Sequence, residues 1–222
     1  MKSFLCSLFL ALGLATLVAA KEPPLPEGTL LFLENCSSVV ERTTHGKIGH
    51  VALVFQDGQA ACIYEATPAR VRHVTLEEYT AELARLNQRK GDDEQILAWV
   101  LTPQIAYEAD EAAKMKAYLD AQLGRRYSVK NYVRGHEYDG IQCAELASST
   151  LNQSGRYAFE DCFKINPQAL YTAILPTHAA PQQLTIPPLA IKDPWSIRTQ
   201  RRLSGWCTWC GWSCREAWAW CW

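Results

Sequence analysis

The stretch from Ile48 to Thr67, IGHVALVFQDGQAACIYEAT, leaves the chain few options. Two runs rich in β-branched and aromatic residues, His50 to Gln56 and Gln59 to Ala66, flank Asp57-Gly58. An Asp-Gly link between such runs is among the strongest short-range hairpin signals, because both residues tolerate the positive φ of a type I′ turn. Taking Asp57 and Gly58 as the two loop residues pairs Phe55 with Ala60, Leu53 with Cys62 and His50 with Glu65. Directly opposed side chains share a face with Cβ atoms roughly 4.5 to 5.5 Å apart, so this register brings an imidazole and a carboxylate into hydrogen-bond reach. A carboxylate so placed fixes the tautomer of the ring and favours its protonated form. Most pairs of this kind are structural ion pairs on a solvated face, so a third residue has to decide.

That residue is Cys143, in Gly140-Ile141-Gln142-Cys143-Ala144-Glu145-Leu146-Ala147. Leu146, Ala147 and Leu151 recur at helical spacing, and Gly140 closes an irregular stretch, so Cys143 falls at or near a helix N-terminus. Free backbone N–H groups and the helix dipole there favour thiolate over thiol. Cys, His and an orienting carboxylate together are the equipment of nucleophilic cysteine catalysis. A buried inert thiol is the commoner fate of a free cysteine. His136, in the loop ahead of Cys143, is the competing base, but His50 has the carboxylate placed opposite it. His45 reads as a solvated loop residue and His73 as a strand-face residue.

Ile48-Gly49-His50-Val51-Ala52-Leu53, then Tyr64-Glu65-Ala66-Thr67-Pro68, then Cys143-Ala144-Glu145-Leu146 resemble the three motif blocks of the permuted papain-like amidases. These are the YiiX- and YaeF-like, circularly permuted branch of the NlpC-type cysteine hydrolases, in which the His strand precedes the Cys helix. The resemblance covers about 28–175. It implies an α+β, circularly permuted papain-like fold, an antiparallel sheet packed against helices that include the nucleophile helix. By position it implies Cys143 as nucleophile, His50 as general base and Glu65 as the third, polar member. Gly124-Arg125-Arg126-Tyr127 resembles the family's Gly-x-x-Tyr segment and puts Tyr127 near the site. Where the family often has Ser after the nucleophile, this chain has Ala144, which leaves the three residues intact and removes one hydroxyl from the rim.

Around this centre the chain parses into appendages and one domain. Residues 1–20 carry Lys2, an apolar run from Phe4 to Val18 and small residues before Lys21, the pattern of an export signal cleaved after Ala20. An uncleaved membrane anchor is the alternative. Residues 21–27 form a Pro-containing lead-in, and 28–175 the hydrolase domain. Within it the sequence predicts a strand from Gly28 to Leu33, an irregular connection from Glu34 to Lys47, and a strand from Arg70 to Val74. A helix follows from Thr75, with Glu78 completing a capping box and Leu76, Tyr79, Leu83 and Leu86 recurring at helical spacing. Then come a strand from Gln95 to Leu101, a helix from Tyr107 to Leu123 with Ala112, Met115, Leu119 and Leu123 inward, and a rim loop from Arg125 to Tyr138. Phe159 to Ile165 reads as a closing strand, and Asn166-Pro167 as cap and first turn of a short helix.

Prolines recur over 176–204 without an apolar period, which marks a linker or wrapping arm. The tail, 205–222, interleaves Cys207, Cys210, Cys214 and Cys221 with six tryptophans. It lacks histidine and the spacing of paired zinc knuckles, so disulfides or a Trp-rich anchor at the cell envelope or a membrane surface fit it better than zinc. An incidental extension is a further reading of it. If Cys143 stays a free thiolate, an odd number of cysteines remains after signal removal, and pairing within one chain is incomplete. A formal net charge of −1 without a basic block gives no reason to expect a nucleic-acid partner.

The expectation is an exported protein, periplasmic or secreted, that cleaves an amide in peptide, cell-wall peptide or lipid-linked material through an acyl-enzyme on Cys143. No cofactor or metal is expected. The oxyanion would meet the Cys143 N–H and a second donor, with Tyr127 and Gln142 as candidates. The alternatives are a lipid acyltransferase or thioesterase using the same three residues, and a catalytically silent secreted binding module.

Overall fold

Thr29–Glu34 (β1), TLLFLE, is apolar on both sides, and both sides are buried: Leu30 and Phe32 enter one core, Leu31 and Leu33 another. In this computed structural model, which describes residues 25–58, 60–136 and 139–188, β1 sits inside a six-stranded antiparallel sheet. The sheet also contains Ile48–Asp57 (β2), Ala60–Ala66 (β3), Val71–Thr75 (β4), Leu97–Leu101 (β5) and Gln182–Gln183 (β6), in the order β4-β3-β2-β1-β5-β6. The expected export signal, residues 21–24 of the lead-in, residues 189–204 of the Pro-rich stretch and the Cys/Trp tail lie outside the described residues.

Leu76–Asn87 (α2) covers one face, where Tyr79 and Leu83 pack on Leu31, Ala52, Val54 and Ile63. The other face carries Ala109–Gln122 (α3), Cys143–Gln153 (α5) and Pro167–Ile174 (α6), whose Met115, Leu119, Leu146, Leu151 and Leu170 pack on Phe32, Leu53, Phe55 and Tyr64. With both faces covered, each fully buried Leu contributes about 1.5–3 kcal/mol, and the central strands are the least negotiable part of the fold. No helix among the described residues is long and apolar enough to cross a membrane.

Local signals account for the helix starts. Thr75 and Glu78 form the reciprocal capping box, Thr75 N–H donating to the Glu78 carboxylate at 2.9 Å and Glu78 N–H to the Thr75 hydroxyl at 3.1 Å. Asn166 caps α6 by accepting from Ala169 N–H at 2.8 Å, with Pro167 in the first turn. Leu123, expected inward, is exposed at the end of α3, as is Leu86 at the end of α2.

Several expectations are corrected. Asp57 pairs with Ala60, Phe55 with Cys62 and Leu53 with Tyr64, so the link lies one position later than Asp57-Gly58 and the register is displaced by two residues. Residues 34–47 are not irregular throughout: Ser38–Thr44 (α1) is a helix whose N-cap Ser37 accepts from Val40 N–H at 3.4 Å. The rim stretch 125–138 contains a short helix, Lys130–Arg134 (α4). Phe159 to Ile165 forms no strand; Asp161 takes a left-handed conformation (φ 30°) and Cys162–Lys164 make a 3₁₀ turn. Within the Pro-rich stretch, Gln182 and Gln183 add a strand to β5.

Candidate active site

Cys143 is the first residue of α5, and the sequence before it explains why the helix begins there. Gly140 turns the chain at φ 106°, where a Cβ would lie 2.5 Å from the Ser128 side chain, so only glycine fits. Gln142 then takes the N-cap position, its side-chain oxygen accepting from Ala144 N–H at 3.2 Å while its amide donates to the Ile165 carbonyl at 2.5 Å. The helix behind is almost wholly buried, and Ser148 and Thr150 satisfy their hydroxyls on the Ala144 and Leu146 carbonyls at 2.8 and 2.7 Å. Cys143 itself is 3% exposed.

His50 comes from β2, at a point where the pairing of β1 with β2 is irregular: Leu33 pairs with His50 and Glu34 with Ile48, which leaves Gly49 as the extra residue. Gly49 allows a close approach. A Cβ there would lie 2.8 Å from Cys36 Sγ, 3.0 Å from Glu41 Oε1 and 3.1 Å from Ser37 N, so α1 can pack onto the His strand only at glycine.

Glu65 comes from β3 and is 4% exposed. Its Oε2 lies 2.8 Å from His50 Nε2. Because the register is displaced by two residues, the two are diagonal instead of opposed, yet they still share a face, since side chains alternate with a period of two. That leaves Nδ1 as the ring nitrogen for Cys143, which is near enough to act on the charge of His50. The structure thus brings Cys143, His50 and Glu65 together in one chain of contacts.

Burial opposes a charge on His50, but the hydrogen bond to and negative charge of Cys143, with those of Glu65, outweigh it and raise the imidazole from 6.5 to about 10. Burial likewise works against ionised Glu65. The bonds and charges of His50 and Arg72 prevail and hold its carboxyl below the usual carboxylate range. At neutral pH the ring is an imidazolium held against the Glu65 carboxylate.

Arg72 is the participant that sequence reasoning missed. Its Nε and Nη2 both donate to Glu65 Oε1, at 2.9 and 2.7 Å, and Nη2 also reaches Glu82 Oε2 on α2 at 2.8 Å. Arg72 is the ladder partner of Glu65 in the β3–β4 pair. Thr67 and Arg70 bracket the connection, Thr67 N–H and hydroxyl both donating to the Arg70 carbonyl, and counting back from that turn would have found the pairing.

The other candidates fall as follows. Tyr127 makes a parallel bridge with Ile141 and lines a groove that opens beside Cys143. Gln142 lines the same groove with both ends of its amide engaged, as the cap of α5. His136 is exposed with Nδ1 on the Arg134 carbonyl, His45 ends α1 in a left-handed conformation, and His73 packs edge-on against Tyr64. Among the described residues Cys36, Cys62, Cys143 and Cys162 form no disulfide.

No family model matches the chain, and no curated protein does. Among solved structures it is similar to the crystal structure of metalloprotein yiiX from Escherichia coli O157:H7, DUF1105, at 14% identity and a TM-score of 0.50, covering 73% of this chain and 98% of that one. Similarity at that identity carries the fold alone. The neighbour is described as a metalloprotein, yet among the described residues of this chain no group of three or more His, Cys, Asp or Glu side chains is arranged to hold a metal ion. Both oxygens of Glu65 are already bonded, to His50 and Arg72, so the residues present do not fit a metal set. The chain has a YiiX-like α+β fold.

Proposed function

We propose that this is an exported cysteine hydrolase of permuted papain-like fold that cleaves an amide through Cys143, His50 and Glu65. One observation carries the reading: a buried carboxylate lies 2.8 Å from His50 Nε2, and a cysteine at a buried helix start is near enough to act on the same ring. Geometry and charge agree with the roles that acyl transfer requires.

In this reaction the Cys143 thiolate attacks the carbonyl carbon, a C–S bond forms, and the carbonyl electrons move to oxygen. The Cys143 N–H, at the positive end of α5, is the nearest backbone donor for that oxyanion, and one such donor is worth about 3 kcal/mol. As the C–N bond breaks, imidazolium His50 gives its Nδ1 proton to the departing amine. The neutral ring then takes a proton from water, which attacks the thioester, and the C–S bond breaks to release a carboxylic acid and restore the thiolate. Glu65 keeps the Nε2–H in place throughout.

The test is amine release from a library of acyl amides by the mature protein and by its Cys143→Ala and His50→Ala variants. The reading expects turnover that both substitutions abolish, with a thioester on Cys143 trapped by acid quench and seen by intact mass. Cleavage that survives Cys143→Ala refutes it. Products carried by an added amine or alcohol in preference to water would place the protein among acyltransferases.

A further inference from the structure

The start of α6 borders two concavities. Asn166 and Pro167 line the groove beside Cys143, while Gln168 and Tyr171 line a second cleft of about 450 Å³, counted out to open solvent, whose other walls are the end of β1, the start of β2 and Trp99 of β5. None of Cys143, His50 and Glu65 lines that second cleft. Two half-buried aromatic rings do, and each is held in place by a neighbour. The Trp99 indole N–H donates to Glu34 Oε2 at 3.0 Å, and Phe32 meets Tyr171 edge-on with ring centroids 5.2 Å apart. Rings fixed in this way lose little freedom when a ligand is laid on them.

The polar groups of the cleft are unspent. Glu34 Oε1 takes no bond from the described residues, and the carboxylate is near enough for its charge to add to burial in raising the Tyr171 hydroxyl. Gln168 turns its Oε1 to the start of β2, accepting from Lys47 N–H at 3.0 Å and Ile48 N–H at 3.3 Å, which leaves its NH₂ without a partner among the described residues. Gly46 makes room for that turn, since a Cβ there would lie 2.6 Å from both Cβ and Cγ of Gln168. Lys47 is exposed, and its ammonium joins no ion pair among the described residues. The cleft thus offers a free acceptor, two free donors, two aromatic faces, and one charge of each sign. An aliphatic chain would strip water from these groups and replace none of it. A cation would meet Lys47, and an anion Glu34. A pyranose ring suits all of them, with its C–H face on an aromatic ring and hydroxyls that donate to Glu34 and accept from Gln168 and Lys47.

We infer that the cleft between Trp99, Tyr171 and Glu34 is a second site, which binds a neutral saccharide. Cys143 takes no part in it, so the site stands whether or not the chain is a hydrolase.

Saturation-transfer difference NMR of the full chain with cellotetraose and with chitotetraose tests this. The expected result is saturable binding of at least one of them, with transfer concentrated on the protons of one ring face. Because neither sugar is charged, the affinity should hold when NaCl is raised from about 50 to about 500 mM. Trp99→Leu removes the stacking face and should weaken binding about tenfold. Lys47→Ala, at an exposed position, should leave the melting temperature unchanged and weaken binding about threefold through one lost donor. Cys143→Ala should bind as the wild type does, and sugar binding lost in that variant would place the sugar at the nucleophile and overturn the second site. No transfer up to about 10 mM sugar overturns the inference. So does binding that both Trp99→Leu and Lys47→Ala leave unchanged, or binding of the zwitterion glycylglycine and of neither sugar. Retention of the chain on chitin beads that Trp99→Leu abolishes marks a polymeric source of the saccharide, and chitotetraose binding without retention a free oligosaccharide.

Discussion

Replacing Glu65 by Gln exchanges one oxygen for an NH₂ and should be worse for catalysis than removing the side chain. Glu65 Oε1 takes two bonds from Arg72 while Oε2 faces His50 Nε2. Arg72 is donor-only, so the single oxygen of the substituted amide must turn to it, which aims the amide NH₂ at His50. Nε2 then has to accept, and a neutral ring carries its proton on Nδ1, the nitrogen that must act on the sulfur side. A wrong tautomer of this kind costs up to about 10⁴-fold in a related triad. Glu65→Ala, which imposes no tautomer, should lose less. Stability should rank the other way. Gln keeps the packing and gives up charge-assisted bonds, partly offset by the cheaper burial of a neutral group, a net of about 1–2 kcal/mol. That corresponds to roughly 3–6 °C in Tm. Ala also leaves a gap and an under-paired Arg72, so it should melt lower. The assays are kcat/KM on any amide the protein turns over and thermal denaturation by circular dichroism. Glu65→Gln that is as active as Glu65→Ala or better would refute the reasoning, as would failure of Arg72→Met to relieve the Gln variant, since without Arg72 the amide is free to flip.

Four further outcomes follow from the same geometry. Iodoacetamide at near-neutral pH should modify Cys143 before Cys36 or Cys62, whose thiols burial pushes up, and peptide mass mapping would expose the reverse order. Gly49→Ala should cost about 1–3 kcal/mol through its contact with Cys36 Sγ, and Cys36→Ala should recover part of that loss in urea denaturation. His50 is raised from 6.5 to about 10, so its contribution to stability should be complete below about pH 6.5 and lost as pH rises through 10, whereas a urea midpoint that stays level over this window, or rises, would contradict it. Glu65 is held below its ordinary 4.5, so its contribution should be present above about pH 4.5 and fade as pH falls through its lower folded value, a dependence that Glu65→Gln should remove.

What was legible in the sequence was local. The Asp-Gly link marks the hairpin, the Thr75–Glu78 box and the Asn166-Pro167 cap mark helix starts, and the apolar spacing after Gln142 places Cys143 at a helix N-terminus. Each signal works through backbone groups within four residues of itself. Features that depend on distant partners were not legible. Helix α1 forms from SVVERTT, rich in β-branched residues, once Ser37 caps it and Gly49 leaves room for it on β2. The stretch from Phe159 to Ile165 has apolar residues enough for a strand, but it has no strand partner, and Asn152 draws it into a turn by bonding Phe159 through both amide ends at 2.9 Å. The two residues of β6 have no apolar pattern at all and are held by backbone pairing with Trp99 and Val100.

The displaced hairpin register leaves His50 and Glu65 on one face. The expected loop and the observed one differ by one position at the turn, which moves the strand pairing by two residues and so preserves which face each side chain takes. A displacement of one would have sent Glu65 to the face opposite His50. Two neighbours hold the actual register against that alternative. Tyr64 is fixed on the α3 side of the sheet by its hydroxyl, which donates to Asp120 at 2.7 Å, and Arg72 holds Glu65 on the α2 side from its ladder position. Either residue moved by one would bury an unmatched hydroxyl or an unpaired carboxylate, at several kcal/mol each. The face that Glu65 takes is therefore set by the partners of β3 on both layers, and the turn needs only to be short.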